Sequence, residues 1–161
     1  MIRWLARFHL LLVFPATAVH PDPWNEGAAA ARHSIMRAAN GVRVVHIVAH
    51  PDDEDAALLT ALSRGLGYDV LLLSLSRGEG GANLTGPEMY AALGRIREEE
   101  TLAAARHYGV RVRFASAVDF GFSKRLDETF EHWDRKALVD EEVSILREEE
   151  PHIIIARFHG S

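Results

Sequence analysis

Residues 50–54 have the sequence HPDDE, which places one imidazole and three carboxylates in a single short run. Carboxylates this close together repel one another unless a cation lies between them. A mixed set of nitrogen and oxygen ligands suits zinc better than magnesium, which prefers oxygen alone. The spacing predicts that His50 and Asp53 bind a divalent metal ion. Asp52, between them, is then placed to take a proton from a water molecule on that metal.

Two other interpretations of this run remain open. Asp52 or Asp53 can instead cap the helix that follows, since acidic side chains are favoured in a first helical turn. Alternatively, Asp52, Asp53 and Glu54 can surround magnesium in a phosphohydrolase, although His50 at a ligand position disfavours that set. The residues by themselves permit all three interpretations.

The elements that must position this run alternate between strands and helices. Short apolar segments predict four buried strands, at residues 42–49, 70–75, 110–115 and 153–156. Helical spacing predicts helices within residues 26–39, 58–66, 88–107 and 139–150. Apolar strands separated by helices are typical of a parallel sheet covered on both faces. The predicted fold class is therefore α/β and doubly wound.

Ligands bind such sheets at the carboxyl ends of the strands, which is where residues 50–54 lie. A nucleotide-binding fold would have a glycine-rich turn after the first strand to admit a pyrophosphate, and this chain has none there. Its glycine-rich turn, residues 78–81, follows the second strand and is consistent with positive φ angles. His46 lies inside the first strand and is predicted to be a packed core histidine.

Composition limits the classes of protein that this chain can belong to. It has 161 residues, 18 Lys and Arg against 23 Asp and Glu, a net charge of −5, and 48% hydrophobic residues, which indicates one globular domain. The acidic balance without a basic run argues against nucleic-acid binding. The absence of cysteine excludes disulfides, thiolate metal sites and a cysteine nucleophile.

The N-terminal residues resemble a secretory signal. Two arginines precede an apolar stretch at residues 10–14, and Ala16-Thr17-Ala18 has the small-x-small form of a cleavage site. Residues 1–18 are therefore predicted to be a signal peptide and the protein to be exported to the periplasm or outside the cell; a ragged start on a cytoplasmic protein is the alternative. A transmembrane span is not expected, because it needs ~20 apolar residues. Residues 19–40 form a lead-in and residues 41–161 the main domain.

Several ordered motifs carry a family resemblance. Residues 49–54 (AHPDDE) are followed by residues 76–81 (SRGEGG), by Leu93-Gly94 with Arg97, Glu99 and Glu100, and by residues 119–123 (DFGFS). From about residue 42 to its C-terminus, the chain resembles the PIG-L / LmbE-like family of zinc-dependent N-acetylglucosaminyl deacetylases. The resemblance implies a Rossmann-like α/β fold.

The resemblance also implies roles for individual residues. His50 and Asp53 would bind Zn²⁺, and Asp52 would be the general base of amide hydrolysis. Arg97 would be directed at the substrate, a small-molecule or glycoconjugate N-acetyl amino sugar, and Glu79 would border its pocket. The plainer alternatives are that Arg97 only pairs with neighbouring glutamates on its helix, and that residues 78–81 only form a turn. Nothing in the sequence identifies the aglycone or the oligomeric state.

The family takes its third zinc ligand from a histidine in a loop after a later strand, and catalytic zinc commonly has three protein ligands. In this chain that loop has barely begun at His159, which is the alternative candidate for the third ligand. The resemblance therefore predicts that the domain is incomplete at its C-terminus, that the missing histidine lies downstream of His159, and that the chain as it stands is a poor catalyst. A noncatalytic sugar-binding or structural domain is the second hypothesis.

Overall fold

The computed structural model describes residues 26–157. Its strands are β1 (Arg43–Val48), β2 (Asp69–Ser74), β3 (Arg111–Phe114) and β4 (Ile153–Ala156). Its helices are α1 (Gly27–Asn40), α2 (Ala56–Thr60), α3 (Ala91–Tyr108), α4 (Leu126–His132) and α5 (Arg135–Glu149). A π-helical turn, Ala61–Gly65, continues α2. All four predicted strands and all four predicted helices are present, and α4 is an addition that the apolar spacing did not predict.

The four strands form one parallel sheet in the order β3-β2-β1-β4. β1 and β2 are central and almost wholly buried, which is why their residues are mainly apolar on both faces. β4 is an edge strand within the described residues, and Ile153 and Ile154 are 41% and 52% exposed. The doubly wound α/β prediction is confirmed.

Alternate residues of the central strands pack into two separate cores. Val44 and Val48 of β1 face one side, where they pack with Leu59 of α2 and with partly buried Tyr108 of α3. Val45 faces the other side, in a cluster with Ile145 of α5 and with leucines of the same helix. Helices therefore cover both faces of the sheet, and α2 and α3 share a face.

His46 is a buried core histidine, as its place in β1 predicted. It is 1% exposed, and its Nδ1 lies 3.1 Å from the Ile155 carbonyl oxygen of β4, to which it donates. Desolvation by burial lowers the pKa of His46 below its ordinary value of 6.5, and the hydrogen bond to Ile155 opposes this shift only in part. The folded protein therefore holds the neutral imidazole.

The lowered pKa of His46 predicts a loss of stability in mild acid. Unfolding frees an imidazole that takes up a proton below pH 6.5, so the free energy of unfolding falls as the pH drops below that value. One proton contributes at most about 1.4 kcal/mol per pH unit. Urea unfolding at pH 7.5 and 5.5 should show a smaller acid loss in His46→Leu than in the parent chain. Equal losses in the two proteins would contradict this assignment.

The N-terminal predictions lie mostly outside the described residues. The proposed signal peptide, residues 1–18, is not described, and its cleavage and export stay predictions. The later part of the lead-in forms α1, which docks on the main domain through His33, whose Nε2 lies 3.0 Å from the Ser63 carbonyl oxygen. Among residues 26–157, no helix has the length and apolar character needed to cross a membrane.

Candidate active site

The candidate site lies at the carboxyl edge of the sheet, where the strand order reverses. The chain proceeds from β1 outward to β2 and β3, and then returns to place β4 on the other side of β1. In open α/β sheets, the crevice outside such a switch point is the usual ligand site. The loop after β1 contains residues 50–54. Arg157, directly after β4, donates its backbone N–H to the Ile47 carbonyl oxygen at 3.0 Å, so β4 ends beside that loop.

The loop after β1 folds back on itself and brings His50 and Asp53 together. The Asp53 backbone N–H donates to the His50 carbonyl oxygen at 3.2 Å, and the His50 N–H donates to Asp53 Oδ2 at 3.0 Å. His50 Nδ1 then lies 3.1 Å from the same Asp53 Oδ2. Neither Asp52 nor Asp53 caps α2. Asp55 does so by accepting the Leu58 N–H at 2.9 Å, so the capping interpretation is wrong for these two residues.

The His50 and Asp53 donors fit a divalent zinc ion as a partial ligand set. Two atoms each ~2.0–2.1 Å from one tetrahedral zinc lie roughly 3.3 Å apart, close to the 3.1 Å between His50 Nδ1 and Asp53 Oδ2. That separation is also an ordinary hydrogen bond, and a metal analysis distinguishes the two. Within residues 26–157, no cluster of three histidine or acidic side chains could hold a metal ion. A metal ion held by His50 and Asp53 would need further ligands from outside the described residues or from solvent.

Asp119, from the loop after β3, braces this site and faces the second ring nitrogen of His50. Its side chain is 4% exposed, and its two oxygens accept the backbone N–H groups of Gly80 at 3.1 Å and Gly121 at 2.9 Å. Asp119 Oδ1 also lies 3.5 Å from His50 Nε2. Histidine ligands of metals commonly present their other nitrogen to a carboxylate, which fixes the ring. The sequence analysis placed Asp119 only within the motif at residues 119–123, and it did not predict this contact with His50.

Asp52 and Arg97 form an ion pair at the mouth of the site. The Asp52 side chain is 72% exposed, whereas that of Arg97 is 19% exposed, and Arg97 Nη1 lies 3.5 Å from Asp52 Oδ2. Arg97 Nη2 donates to the Ala82 carbonyl oxygen at 3.2 Å. Arg97 therefore reaches across to the loop after β1, and the alternative in which it only pairs with its helical neighbours is not what the structure shows.

The glycines of residues 78–81 make room for these contacts. A Cβ at Gly78 would lie 2.8 Å from Arg97 Cδ, and one at Gly81 would lie 2.9 Å from Arg97 Nη2. At Gly80 a Cβ would lie 2.3 Å from the backbone nitrogen of Gly121, where the loops after β2 and β3 meet. Gly78 has the positive φ that the turn interpretation expected, and close approach is a second reason for glycine here.

Glu79 links the loop after β2 to the loop after β3 through hydrogen bonds. One oxygen of its carboxylate, Oε2, accepts the backbone N–H groups of Arg77 at 3.2 Å and Asp119 at 3.0 Å. Its Cγ packs on Gly94 of α3, where a Cβ would lie 2.7 Å away. Glu79 therefore holds the backbone at Asp119 in place through this hydrogen bond. Its contact with substrate stays a prediction.

The three carboxylates of residues 50–54 do not converge on one point. Asp52 turns to Arg97, Asp53 turns to His50, and Glu54 Oε1 accepts a 3.4 Å hydrogen bond from the Tyr108 hydroxyl. Desolvation raises the pKa of Glu54, and the nearby carboxylates of Asp52 and Asp53 raise it further. The magnesium set proposed for a phosphohydrolase is not assembled in the described structure.

A cleft of about 370 Å³ opens beside Asp52 and Arg97. It runs between α3 and the loop at residues 82–85, and Pro51 and Glu54 complete its wall on the side of the loop after β1. Its volume is in the range of small-molecule sites. Asp52 and Arg97 therefore line a cavity that is large enough to hold a small-molecule ligand.

The family profile described as PIG-L, GlcNAc-PI de-N-acetylase, matches residues 45–160 of this chain. The chain belongs to the PIG-L family. The match runs from within β1 past the end of β4 and includes every site residue discussed above. A search of curated proteins found no match.

Three solved structures resemble this PIG-L chain in fold. They are N,N'-diacetylchitobiose deacetylase from Pyrococcus horikoshii (19% identity, TM-score 0.54, 80% of this chain and 49% of that one), the deacetylase of the teicoplanin biosynthesis pathway (20%, 0.51, 71% and 54%), and GalB, the 4-carboxy-2-hydroxymuconate hydratase from Pseudomonas putida KT2440 (22%, 0.52, 70% and 45%). At these identities the likeness concerns the fold alone. Because one of the three is a hydratase, the fold does not by itself decide the reaction.

The PIG-L chain spans about half the length of these solved structures. His159, the alternative candidate for the third ligand, lies outside the described residues. The position of β4 is nevertheless informative, since Ala156 is paired with Ile47 and Arg157 follows it at the carboxyl edge. A segment that continues from Arg157 starts beside the loop that holds His50.

Proposed function

We propose that this protein is a zinc-dependent hydrolase that removes the acetyl group from an N-acetyl amino sugar. The observation that carries the proposal is the loop after β1 of a PIG-L chain, in which His50 Nδ1 and Asp53 Oδ2 lie 3.1 Å apart and Asp52 lies between them in sequence at a cleft mouth. The donor chemistry suits zinc, and the cleft suits a small-molecule or glycoconjugate substrate.

In this proposal, His50 and Asp53 bind zinc and Asp52 transfers the proton. Zinc held by His50 and Asp53 would lower the pKa of water and polarise the acetamide carbonyl. Asp52, whose carboxylate is accessible to solvent, takes the proton of the attacking water and returns it to the leaving amine. The carbon–nitrogen bond breaks, and the products are acetate and the free amino sugar.

Arg97 and Asp119 position these groups. Arg97 holds the Asp52 carboxylate at the mouth of the cleft and presents its guanidinium to the substrate beside it. Asp119, buried between the loops after β2 and β3, keeps the His50 ring turned toward Asp53. Both side chains are largely removed from water, so their orientation is set by the fold rather than by solvent.

The remaining protein ligand is proposed to come from the segment that follows β4. Parallel pairing of β1 with β4 places the end of β4 level with the start of the loop containing His50. A histidine a few residues beyond Arg157 would therefore need only a short loop to reach the pair. The sequence offers His159 in that segment, and the family resemblance favours a residue further downstream.

A zinc and acetate assay tests the proposal. The full-length protein is expected to bind one equivalent of zinc and to release acetate from N-acetylglucosamine glycosides only when zinc is present. Sugar binding without metal or turnover would support the noncatalytic domain instead. Activity that depends on magnesium and a phosphoester substrate would overturn the proposal in favour of the phosphohydrolase.

A further inference from the structure

Asn40 and Gly41 form the one Asn-Gly pair of the chain, and they lie where α1 ends. Both residues are exposed. The chain has three asparagines and no glutamine, and the other two asparagines are followed by Glu26 and Leu84. In an Asn-Gly pair the backbone nitrogen of glycine can attack the asparagine side chain, because glycine has no Cβ to hinder the approach. The reactive pair therefore lies at the junction of α1 with the main domain.

The end of α1 leaves the attacking nitrogen of Gly41 accessible. Gly41 has a φ of +66°, and no other part of the described chain would lie within 4 Å of a Cβ built there. Its backbone N–H makes no hydrogen bond among the described residues, whereas the N–H groups of Gly109 and Glu150 each donate back into α3 and α5. The last turn of α1 can therefore open without breaking a bond at Gly41, which lets this nitrogen reach the side chain of Asn40.

Asn83, the other asparagine that the structure describes, is held much more firmly. Its Oδ1 accepts two backbone N–H groups at 3.0 and 3.1 Å, and its Nδ2 donates to the Glu88 carbonyl oxygen at 3.1 Å. The side chain of Asn40 makes one hydrogen bond within residues 26–157, from Nδ2 to the Leu66 carbonyl oxygen at 2.9 Å. Asn83 is therefore an internal reference for a slowly reacting asparagine.

We infer that Asn40 is a site of spontaneous deamidation, and that its modification removes one of the few contacts that hold α1 on the main domain. The Gly41 nitrogen bonds to Asn40 Cγ, the bond from Cγ to Nδ2 breaks, and ammonia leaves with the proton that the nitrogen gives up. Water then opens the five-membered imide at either carbonyl, which yields aspartate or isoaspartate. Water is the only co-reactant, and nothing is oxidised or reduced.

The consequence for α1 depends on how few contacts hold it. No residue of α1 is buried. Besides the hydrogen bond of Asn40, its described polar contacts with the main domain are a hydrogen bond of His33 and the ion pair of Arg37 with Asp69. A carboxylate at position 40 cannot donate to the carbonyl oxygen that Asn40 holds, and the helix dipole disfavours a negative charge at this end of α1. Deamidation should therefore favour undocking of α1.

Prolonged incubation of the folded protein tests the inference. The purified chain is kept at mildly alkaline pH, which favours loss of the amide proton, and its charge is followed by ion-exchange chromatography. A species with one negative charge more than the parent chain, whose net charge is −5, should accumulate. Peptide mass spectrometry should place the change at Asn40 before Asn83 reacts. Isoaspartyl methyltransferase should label the product, because direct hydrolysis of the amide gives no isoaspartate.

Two variants at the same position separate the reaction from its consequence. Asn40→Gln keeps a side-chain amide but would have to form a less favourable six-membered ring, so the acidic species should form much more slowly. Asn40→Asp carries the charge of the product from the start. Amide hydrogen exchange in its α1 should be about two- to tenfold faster than in the parent chain, as expected for the loss of one hydrogen bond. Exchange in β1 and β2 should be unchanged.

The inference is independent of the proposed function, because none of its measurements involves zinc or turnover. It is overturned if Asn40 stays intact in the folded chain while it reacts in the urea-denatured chain over the same time, since the fold would then protect it. It is equally overturned if Asn83 reacts first, or if exchange in α1 of Asn40→Asp equals that of the parent chain.

Discussion

Replacement of Asp52 by asparagine is expected to lower the rate of acetate release by about 100-fold or more while zinc remains bound. Asparagine keeps the size of the side chain but cannot take a proton, and general-base catalysis typically contributes that much. Because the Asp52 side chain is 72% exposed, its replacement should leave the fold intact. The measurements are kcat/KM and zinc content, in a form of the protein with a complete zinc site.

Asp55→Asn is the matched control for this prediction. It is the same substitution three residues along, at the side chain that caps α2 by accepting the Leu58 N–H, and asparagine caps helices as well as aspartate does. It should therefore leave turnover near that of the parent protein. A near-normal rate in Asp52→Asn, or an equal loss in both variants, would remove Asp52 from the role of general base.

Replacement of His50 by alanine is expected to weaken zinc binding by far more than 100-fold. His50 is one of only two ligands proposed within the described residues, and its imidazole contacts Asp53 and Asp119 at once. Changes in the groups that support a ligand typically weaken metal binding by ~10–100-fold, so loss of the ligand itself should exceed that range. Zinc affinity is measured by competition with a chelating dye.

Asp119→Asn is expected to weaken zinc binding less than His50→Ala does. Asparagine can still accept one backbone N–H through its amide oxygen but loses the carboxylate that faces His50 Nε2, so zinc affinity should fall by ~10–100-fold. Thermal unfolding of each metal-free variant controls for loss of the fold. Undiminished zinc binding in His50→Ala would show that zinc binds elsewhere.

The apolar runs of the sequence predicted the strands because both faces of β1 and β2 are buried, so each of these strands is mainly apolar and lacks a regular alternation of polar and apolar residues. Helix boundaries were close for α1 and α3. The prediction missed α4 because its apolar residues do not form the stripe along one face that marks a buried helix. Leu126 is exposed and Phe130 is only partly buried.

The sequence by itself determined the local part of the site. Residues 50–54 close their own loop through hydrogen bonds between positions three apart, so His50 and Asp53 meet wherever this strand ends. The capping interpretation named Asp52 or Asp53 and not Asp55, because neighbouring aspartates offer equivalent signals and only the backbone path selects Asp55.

Only the tertiary structure decided the partners that are distant in sequence. Asp119 faces His50 because the parallel order of β1, β2 and β3 brings the loops after them to one edge. Arg97 has glutamates at the three following positions, yet it pairs with Asp52 because Gly78 and Gly81 leave space for its side chain to cross. Hydrophobic periodicity fixes which residues are buried, whereas such pairings depend on where separate loops end in space, and no local pattern encodes that.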